Sequence, residues 1–377
     1  MRLILVPILS FLFILNSASA VTLFPEDGSL EIKKWYYSPN EISYVYKDED
    51  HFDDVLNAFR SVNIEPINTS IGHFFQDIGL FDIDGNLVLQ HVPIYNRSSN
   101  TLHSYERYFS GFTMEVFTPP DWGDNYIVNL LRPDDARSLG VGFKQLRKTF
   151  IEGGATISGR FKNGDDYVIV NHSTYLGMKY YFEDTISRNI SESQIIEIIE
   201  RELSLKAGNF IYLKGTSSIH LDTIMKALPG GKILIDDPNL KVELLQRLKR
   251  SSNNEVISNY LNYESNHLNT FKNKALFKAY EQLKDRFVVY RIPGAFTRMK
   301  TSNGFSYPLK DINFFNGVSG SYNDSQYFIT NKASLVPELE AFWTGELIKL
   351  GFDKSLIMYP GVYRGNAGLD CLGSPSP

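Results

Sequence analysis

The sequence is poor in cysteine and lacks every kind of repetitive composition. Cys371 is the single cysteine among 377 residues, so no disulfide can form within the chain. With 43% hydrophobic and 21% charged residues, the composition excludes collagen, coiled-coil and low-complexity proteins and leaves an ordinary globular protein. The net charge of −5 shows no excess of basic residues, which makes non-specific nucleic-acid binding a poor explanation of function.

Long apolar runs are also lacking, except for one at the N-terminus. It follows Arg2, extends to position 15 with Ser10 as its only polar residue, and precedes the small residues Ala18-Ser19-Ala20 of a cleavage site. A membrane-spanning helix needs about 20 apolar residues, so the run is too short to be one. We therefore expect a signal peptide cleaved near Ala20, a secreted or periplasmic protein, and no membrane segment in the mature form.

Helix and strand patterns alternate along the rest of the chain. Helices are predicted after the capping box that begins at Ser191, after Asp237-Pro238, around Leu276, and over 335–350, with another ending at about Thr149. Strands are predicted at 86–90, 126–131, 167–171, 210–213, 232–235, 287–292 and 326–330. This mixture predicts an α/β fold.

The chain shows no strict internal repeat and no linker rich in proline or serine. The motifs described below lie in its later part. We therefore predict a signal peptide over 1–20, an N-terminal region over 21–108 and a catalytic domain over 109–377. The N-terminal region is expected to hold a first module and an extension.

A histidine and an acid stand two positions apart at His220 and Asp222, ahead of the Pro-Gly-Gly sequence at 229–231. Alternate residues of a strand share one face, so a strand here would present the imidazole and the carboxylate together. The alternative is an incidental polar pair on a solvated strand face. The Pro-Gly-Gly sequence between two apolar runs predicts a hairpin.

Two further segments carry candidate chemistry. Glu152 is followed by Gly153 and Gly154, where the backbone can close around a ligand because glycine has no side chain, although the same tripeptide occurs in ordinary turns. Cys371 follows a glycine-containing turn over 365–368, where a thiol is accessible and backbone N–H groups can lower its pKa. The alternative is an inert, buried cysteine.

In their order along the chain, these motifs resemble those of the guanidino-group modifying superfamily, which includes arginine, agmatine and peptidylarginine deiminases and the amidinotransferases. The matching motifs are Glu-Gly-Gly at 152–154, His-Leu-Asp at 220–222 and the cysteine at 371. The stretch beginning at Asn313 also resembles the Asn-Phe…Asn-Gly segment that precedes the last module of this family. The resemblance covers about 125 to 377.

The resemblance implies a pentein-type α/β propeller, with five ββαβ modules around a central acidic pocket and here an N-terminal elaboration. It implies that Cys371 is the nucleophile and that His220 is the general acid and base. Asp222 and Glu152 are the carboxylates expected to bind the guanidinium.

The family's further acid belongs to an Arg-Asp motif upstream of Glu-Gly-Gly. The nearest match is Arg132-Pro133-Asp134-Asp135, so we expect Asp134 or Asp135 to be its equivalent, unless this segment is only a surface turn. Outside candidates are Asp82, Asp84, Asp121 and Asp124. The expected substrate-binding residues are Asp135, Arg132, Asn313 and Gly154.

The function implied by the resemblance is that of a secreted deiminase. It would hydrolyse arginine, first of all peptidyl-arginine, to citrulline and ammonia through a covalent intermediate on Cys371, with no metal and no organic cofactor. The expected partners are an arginine-containing peptide or protein, or a small guanidino substrate. Amidino transfer to an amine is the main alternative, followed by a cysteine protease, in which an acid only two residues from His220 cannot easily support the imidazole. A non-catalytic binding protein is the alternative from another class.

Overall fold

The computed structural model describes residues 20–39, 42, 52–69, 75–90, 93–96, 101–104, 114–117, 125–128, 131, 133–149, 151, 153–216, 220–302, 304–362 and 369–377. The predicted signal peptide lies outside these residues, apart from Ala20. Within the described part of the chain, no helix combines the length and the apolar character needed to cross a membrane.

Strands and helices alternate along the described chain, as predicted. The strands up to residue 145 are β1 (Lys34–Tyr37), β2 (Glu65–Asn68), β3 (Leu80–Phe81), β4 (Leu87–Leu89), β5 (Pro93–Asn96), β6 (Thr101–Ser104), β7 (Met114–Phe117), β8 (Asn125–Val128) and β9 (Phe143–Gln145). The later strands are β10 (Thr156–Arg160), β11 (Asp166–Asn171), β12 (Phe210–Leu213), β13 (Met225–Leu228), β14 (Lys232–Asp236), β15 (Val288–Ile292), β16 (Ala295–Ser302), β17 (Phe305–Asn313), β18 (Val318–Tyr322), β19 (Ser325–Lys332), β20 (Ile357–Val362) and β21 (Gly373–Ser376). The helices are α1 (Phe52–Ser61), α2 (Phe75–Ile78), α3 (Pro133–Ser138), α4 (His172–Thr185), α5 (Glu192–Glu202), α6 (Pro238–Ser251), α7 (Glu255–Asn266), α8 (Phe271–Leu283), α9 (Pro337–Lys349) and α10 (Leu369–Leu372).

The described strands form five three-stranded sheets that share one pairing pattern. In each, the central strand is antiparallel to one neighbour and parallel to the other: β3-β4-β9, β10-β11-β12, β13-β14-β15, β18-β19-β20 and β21-β1-β2. Helices lie in the connections between the parallel strands, as such crossovers require. The prediction of an α/β fold is confirmed, and no sheet formed by the described strands closes on itself.

Two of these sheets repeat a detail that the sequence analysis missed. In the pair β10-β11, Gly159 lies opposite Tyr167, and in the pair β18-β19, Gly320 lies opposite Tyr327. A methyl group on either glycine would overlap the tyrosine ring or hydroxyl of its partner. Glycine therefore makes room for a buried aromatic ring at equivalent positions of two sheets.

The hydrophobic core fixes the last helix and strand. Leu369 and Leu372 of α10 are at most 1% exposed and belong to the same buried cluster as Trp35 and Phe59, whose rings stack at 4.3 Å. Burying a leucine side chain contributes about 1.5–3 kcal/mol. The one-turn helix α10 is thus anchored by the core on two sides of Cys371.

Local capping signals predicted several helices correctly. Ser191 and Gln194 form the capping box that begins α5, and Asp237 caps α6. The apolar spacing after Asp237-Pro238 predicts Leu240 on the buried face of α6, but Leu240 is 37% exposed while Lys241 is buried. Lys241 is buried because its ammonium group pairs with the buried acids Asp236 and Glu264.

The helix predicted to end at about Thr149 is wrong. The chain forms β9 and then an irregular segment, whose backbone N–H groups donate to a carboxylate instead of to helical carbonyls. Glu202 accepts from the N–H groups of Arg147 and Lys148 and, at 2.7 Å, from that of Thr149. The segment before Glu152 is held by α5 as a result.

Candidate active site

The residues around Asp222 form a tight turn and not the predicted strand. Leu221–Thr223 is a 3₁₀ turn, because the N–H and Oγ1 of Thr223 donate to the carbonyl of His220 at 3.3 and 2.8 Å. The hairpin predicted at 229–231 is confirmed, since β13 and β14 pair on either side of it. The turn leaves Asp222 only 2% exposed, while His220 is half-buried.

The Glu-Gly-Gly segment contacts this turn directly. The N–H of Asp222 donates to the carbonyl of Gly154 at 3.3 Å. A methyl group on Gly153 would overlap the backbone carbonyl of Gln76 in α2. Glycine at this position thus allows α2 and the 3₁₀ turn to approach the same stretch of backbone.

The carboxylate of Asp222 has amide donors from two distant segments. Asn316 Nδ2 donates to Asp222 Oδ2 at 2.6 Å. With its amide nitrogen turned toward the acids, Gln76 donates to the same oxygen at 3.3 Å and to the carbonyl of Asp370 at 3.2 Å. Hydrogen bonds to a charged, buried acceptor contribute about 1.5–3 kcal/mol each, so these amides hold Asp222 in place.

The segment that carries the cysteine joins the same network. The N–H of Asp370 donates to Asn316 Oδ1 at 2.9 Å, and Lys226 Nζ forms a buried ion pair with Asp370 Oδ2 at 2.9 Å. Lys226 lies on β13, directly after the 3₁₀ turn. Asp222, Asn316, Asp370 and Lys226 therefore form one continuous buried chain of hydrogen bonds.

An additional acid from the N-terminal region faces this chain. Burial raises the pKa of Glu26, and with Asp370 and Asp222 adding to this effect and Lys226 opposing it, the pKa reaches about 8. The pKa of Asp370 is also raised by burial, against the lowering effect of Lys226. Burial lowers the pKa of Lys226, but Asp370 and Glu26 raise it more, so it stays above its usual value. We call Glu26, Asp222, Lys226 and Asp370 the site cluster.

The N-terminal segment is held by its own backbone contacts. The N–H of Glu26 donates to the carbonyl of Ser158 at 3.2 Å, and the buried carboxylate of Asp27 accepts from the N–H of Arg160 at 2.7 Å. Burial raises the pKa of Asp27. Strand β10 thus positions Glu26, a residue that no pattern in the sequence marked.

Other predicted residues lie in different surroundings. Asp134 is 77% exposed and pairs with Arg137 on α3, and Asp135 is half-buried on the same helix. Asn313 is fully buried, and its side-chain amide makes no hydrogen bond among the described residues. Of the outside candidates, Asp82 is buried and pairs with Lys144 at 2.6 Å. Asp84 pairs with the same lysine at 2.9 Å.

Some predicted residues lie outside the described residues: Glu152, Arg132, Asp121 and Asp124. Cys371 lies in α10, but its side chain is not among the described ones. Among the described side chains, no three of His, Cys, Asp or Glu are grouped as ligands for a metal ion. The residues that the sequence analysis missed are Glu26, Gln76, Lys226 and the bridging amide of Asn316.

Comparison with known proteins gives a likeness of fold. No family model and no curated protein matches the sequence. Two solved structures of agmatine deiminase from C. jejuni, one with substrate bound, are 13% and 12% identical with TM-scores of 0.51 and 0.50, and each pairing covers 94% of this chain and 96% of the other. A putative agmatine deiminase is 10% identical with a TM-score of 0.52, over 95% of this chain and 96% of the other.

At these identities the likeness concerns the fold and not the activity. It extends over nearly the whole of both chains, including the N-terminal region that the sequence motifs did not cover. The predicted resemblance is confirmed at this level: the chain has the α/β fold of the agmatine deiminases, which are guanidino-modifying enzymes of the pentein fold.

Proposed function

We propose that this protein hydrolyses a guanidinium group to a urea and ammonia. One observation carries the proposal: three segments far apart in the sequence, at Gly154, Asp222 and Asp370, meet in one buried network. They are the segments in which the resemblance puts the acid, the His-Asp pair and the nucleophile. An unrelated fold would have no reason to bring them together.

The site cluster suits a cationic, planar substrate. It has three carboxyl groups for one lysine, and like charges in a buried site raise each other's pKa until a cation arrives. A guanidinium offers paired N–H donors, which carboxylates bind with charge-assisted hydrogen bonds. We expect Asp222 and Glu152 to bind it directly, with Asn313 as a further contact.

The proposed chemistry proceeds in two steps. The thiolate of Cys371 attacks the guanidinium carbon, and His220 protonates the departing nitrogen, which leaves as ammonia. The rest of the substrate stays bound to sulfur as an amidino-thioether. His220 then takes a proton from water, the hydroxide adds to the same carbon, and the thiolate leaves, giving the urea product. No external oxidant, reductant or cofactor is needed.

The family's further acid stays a prediction between Asp134 and Asp135. Asp134 is exposed and paired with Arg137, whereas Asp135 on the same helix is half-buried. The variants Asp134→Asn and Asp135→Asn decide between them. A loss of activity in one variant alone would assign the acid to that residue, and full activity in both would exclude this segment.

The finer arrangement of the fold is also a proposal. We infer that the five three-stranded sheets are five modules arranged as a propeller, with the site cluster at their centre. Its support is the common pairing pattern of the sheets and the contribution of several of them to one cluster: β13 supplies Lys226, and β10 holds Glu26. A crystal structure of the mature protein tests it.

The proposed substrate is an arginine side chain in a peptide, because the predicted signal peptide would expose the enzyme to external proteins. The C. jejuni relatives are agmatine deiminases, so agmatine is tested beside arginine peptides. The products are analysed by mass spectrometry and by ammonia release. A gain of about one mass unit with ammonia, lost in Cys371→Ala, is expected; an amidinated amine would indicate transfer, and a cleaved peptide a protease.

A further inference from the structure

We propose that Lys226 and Asn316 are positioning residues for the nucleophile, acting through Asp370. This inference rests on the proposed function and adds to it the means by which the nucleophile and the guanidinium-binding carboxylate are held at a fixed separation. Neither residue touches the reacting atoms in this proposal. Both act on the residue that directly precedes Cys371.

The first contact is the ion pair between Lys226 and Asp370. Its atoms are 2.9 Å apart, and the two side chains are 5% and 2% exposed. Helix α10 has only four residues, so its own hydrogen bonds cannot fix its orientation. A buried ion pair on its second residue adds a directional constraint that the flanking leucines, which are held only by packing, do not supply.

The second contact is the side-chain amide of Asn316, which binds at both ends. Its nitrogen donates to Asp222 Oδ2 at 2.6 Å, and its oxygen accepts from the N–H of Asp370 at 2.9 Å. A single planar group therefore sets the distance between the Asp222 carboxylate and the start of α10. Asn316 is itself buried, so water cannot easily replace either bond.

The third feature is electrostatic. Lys226 supplies a positive charge next to Asp370, whose carboxylate, one residue before Cys371, would otherwise stand uncompensated. A neighbouring anion raises a thiol pKa and a neighbouring cation lowers it. The lysine thus favours the reactive form of Cys371, besides orienting the helix.

The chain offers a matched control in Lys241. This lysine is equally buried and pairs with Asp236 at 2.7 Å, but the described contacts connect it to Glu264 and to the Phe296 ring and not to the site cluster. Lys226→Met and Lys241→Met remove the same charge from two buried pairs. If the burial of the ion pair alone determined the loss of kcat, the two variants would lose kcat equally.

The experiment uses the mature chain and four variants: Lys226→Met, Lys226→Met with Asp370→Asn, Asn316→Asp, and Lys241→Met. Thermal unfolding, kcat and KM with agmatine or an arginine peptide, and the pH dependence of Cys371 alkylation by iodoacetamide are measured. Cys371 is the only thiol, so labelling reports on it alone. The double variant removes both charges and avoids leaving an unpaired buried acid.

We expect kcat to fall about 100-fold in the double variant and in Asn316→Asp, because a displacement of about 1 Å costs that much. KM should change little. In Lys226→Met, where Asp370 keeps its charge, the pH midpoint of alkylation should rise. Lys241→Met should lose stability yet keep kcat per folded molecule.

A double variant with the kcat and alkylation profile of the unmodified protein would overturn the inference, as would an equal loss of kcat in Lys241→Met. The proposed function is judged separately by Cys371→Ala. If that variant still releases ammonia, the proposed function fails. If Cys371→Ala is inactive while the double variant is fully active, only the positioning role fails.

Discussion

The described part of the chain contains two buried lysines that each bind carboxylates, and their surroundings are organised differently. In the scaffold cluster, formed by Asp236, Lys241 and Glu264, all four carboxylate oxygens have a donor: Asp236 binds Lys241 at 2.7 Å and the N–H of Gly294 at 3.0 Å, and Glu264 binds the N–H of Thr297 at 2.8 Å and Lys241 at 3.5 Å. Its charges are satisfied by the protein itself.

The site cluster has one more acid for its lysine than the scaffold cluster has. Three carboxyl groups face Lys226, and the pKa of Glu26 is raised to about 8, so this acid is protonated at neutral pH. Glu264 also has a raised pKa, because burial and Asp236 raise it, while Lys241 and the N–H of Thr297 lower it. The scaffold cluster, in which every carboxylate oxygen has a donor, stabilises the fold, whereas under the proposed function the additional acid of the site cluster would favour the binding of a cation.

Removing one carboxylate from each cluster should give the largest contrast. Asp222→Asn is expected to lower kcat/KM about 1,000-fold, since losing one partner of a buried charge pair costs about 2–5 kcal/mol and each 1.4 kcal/mol is tenfold. Asp236→Asn should lower stability and leave the kcat/KM of the folded protein unchanged. Steady-state assays with parallel unfolding curves check both, and equal kinetic losses would remove the distinction between the clusters.

Loss of the scaffold lysine should appear in stability. Lys241→Met leaves Asp236 and Glu264 without their cation, and breaking a buried ion pair in this way costs about 3–5 kcal/mol. Urea unfolding at neutral pH measures the change. A loss below about 1 kcal/mol would mean that the scaffold cluster is solvated and does not hold α6 and α7 to the sheet.

Replacing Gly153, which allows the site segments to approach each other, is expected to lower stability and kcat by an intermediate amount. Gly153→Ala forces a methyl group against the carbonyl of Gln76 and should cost about 1–3 kcal/mol while lowering kcat. Gly177→Ala is the matched control, because this position in α4 is open and alanine should stabilise the helix by about 0.5–1 kcal/mol. Destabilisation in both variants would show that the effect is not specific to the site.

The last expected effect is a change of stability with pH. Glu26 is protonated in the folded state up to about pH 8 but loses its proton near pH 4.5 when unfolded, so the folded state binds more protons in between. Stability should therefore fall with rising pH across this window, by at most about 1.4 kcal/mol per unit, and level off above pH 8. Glu26→Gln should remove that decline. Parallel curves for both proteins from pH 5 to pH 9 would show that Glu26 is solvated.

Local signals explain what the sequence could predict. The capping box at Ser191 and the Asp237-Pro238 start act within a few residues, and the predicted helices begin there. The turn at Leu221–Thr223 was predicted as a strand because alternation was the only visible pattern. Its hydrogen bond to Gly154 comes from a segment nearly 70 residues away and leaves no local mark.

The partners within the site are equally non-local. Lys226 binds Asp370 across 144 residues, and Asn316 binds Asp222 across 94. In the sequence alone, Lys226 is a lysine between apolar neighbours, a pattern typical of a solvent-facing strand position, yet it is buried in the fold. Asp134, by contrast, matched an expected Arg-Asp pattern, yet its exposed side chain on α3 pairs with Arg137. Sequence motifs therefore indicated the proposed reacting residues, and only the fold revealed the side chains that contact their segments.

The most direct test of this account is the intact mass of the mature protein after it is mixed with agmatine or an arginine peptide and quenched in acid. We predict an adduct on Cys371 whose mass equals that of the substrate minus ammonia, and its absence in Cys371→Ala. An adduct of the amidino group alone would indicate transfer chemistry. Ammonia release with no adduct, and with full activity in Cys371→Ala, would contradict the account.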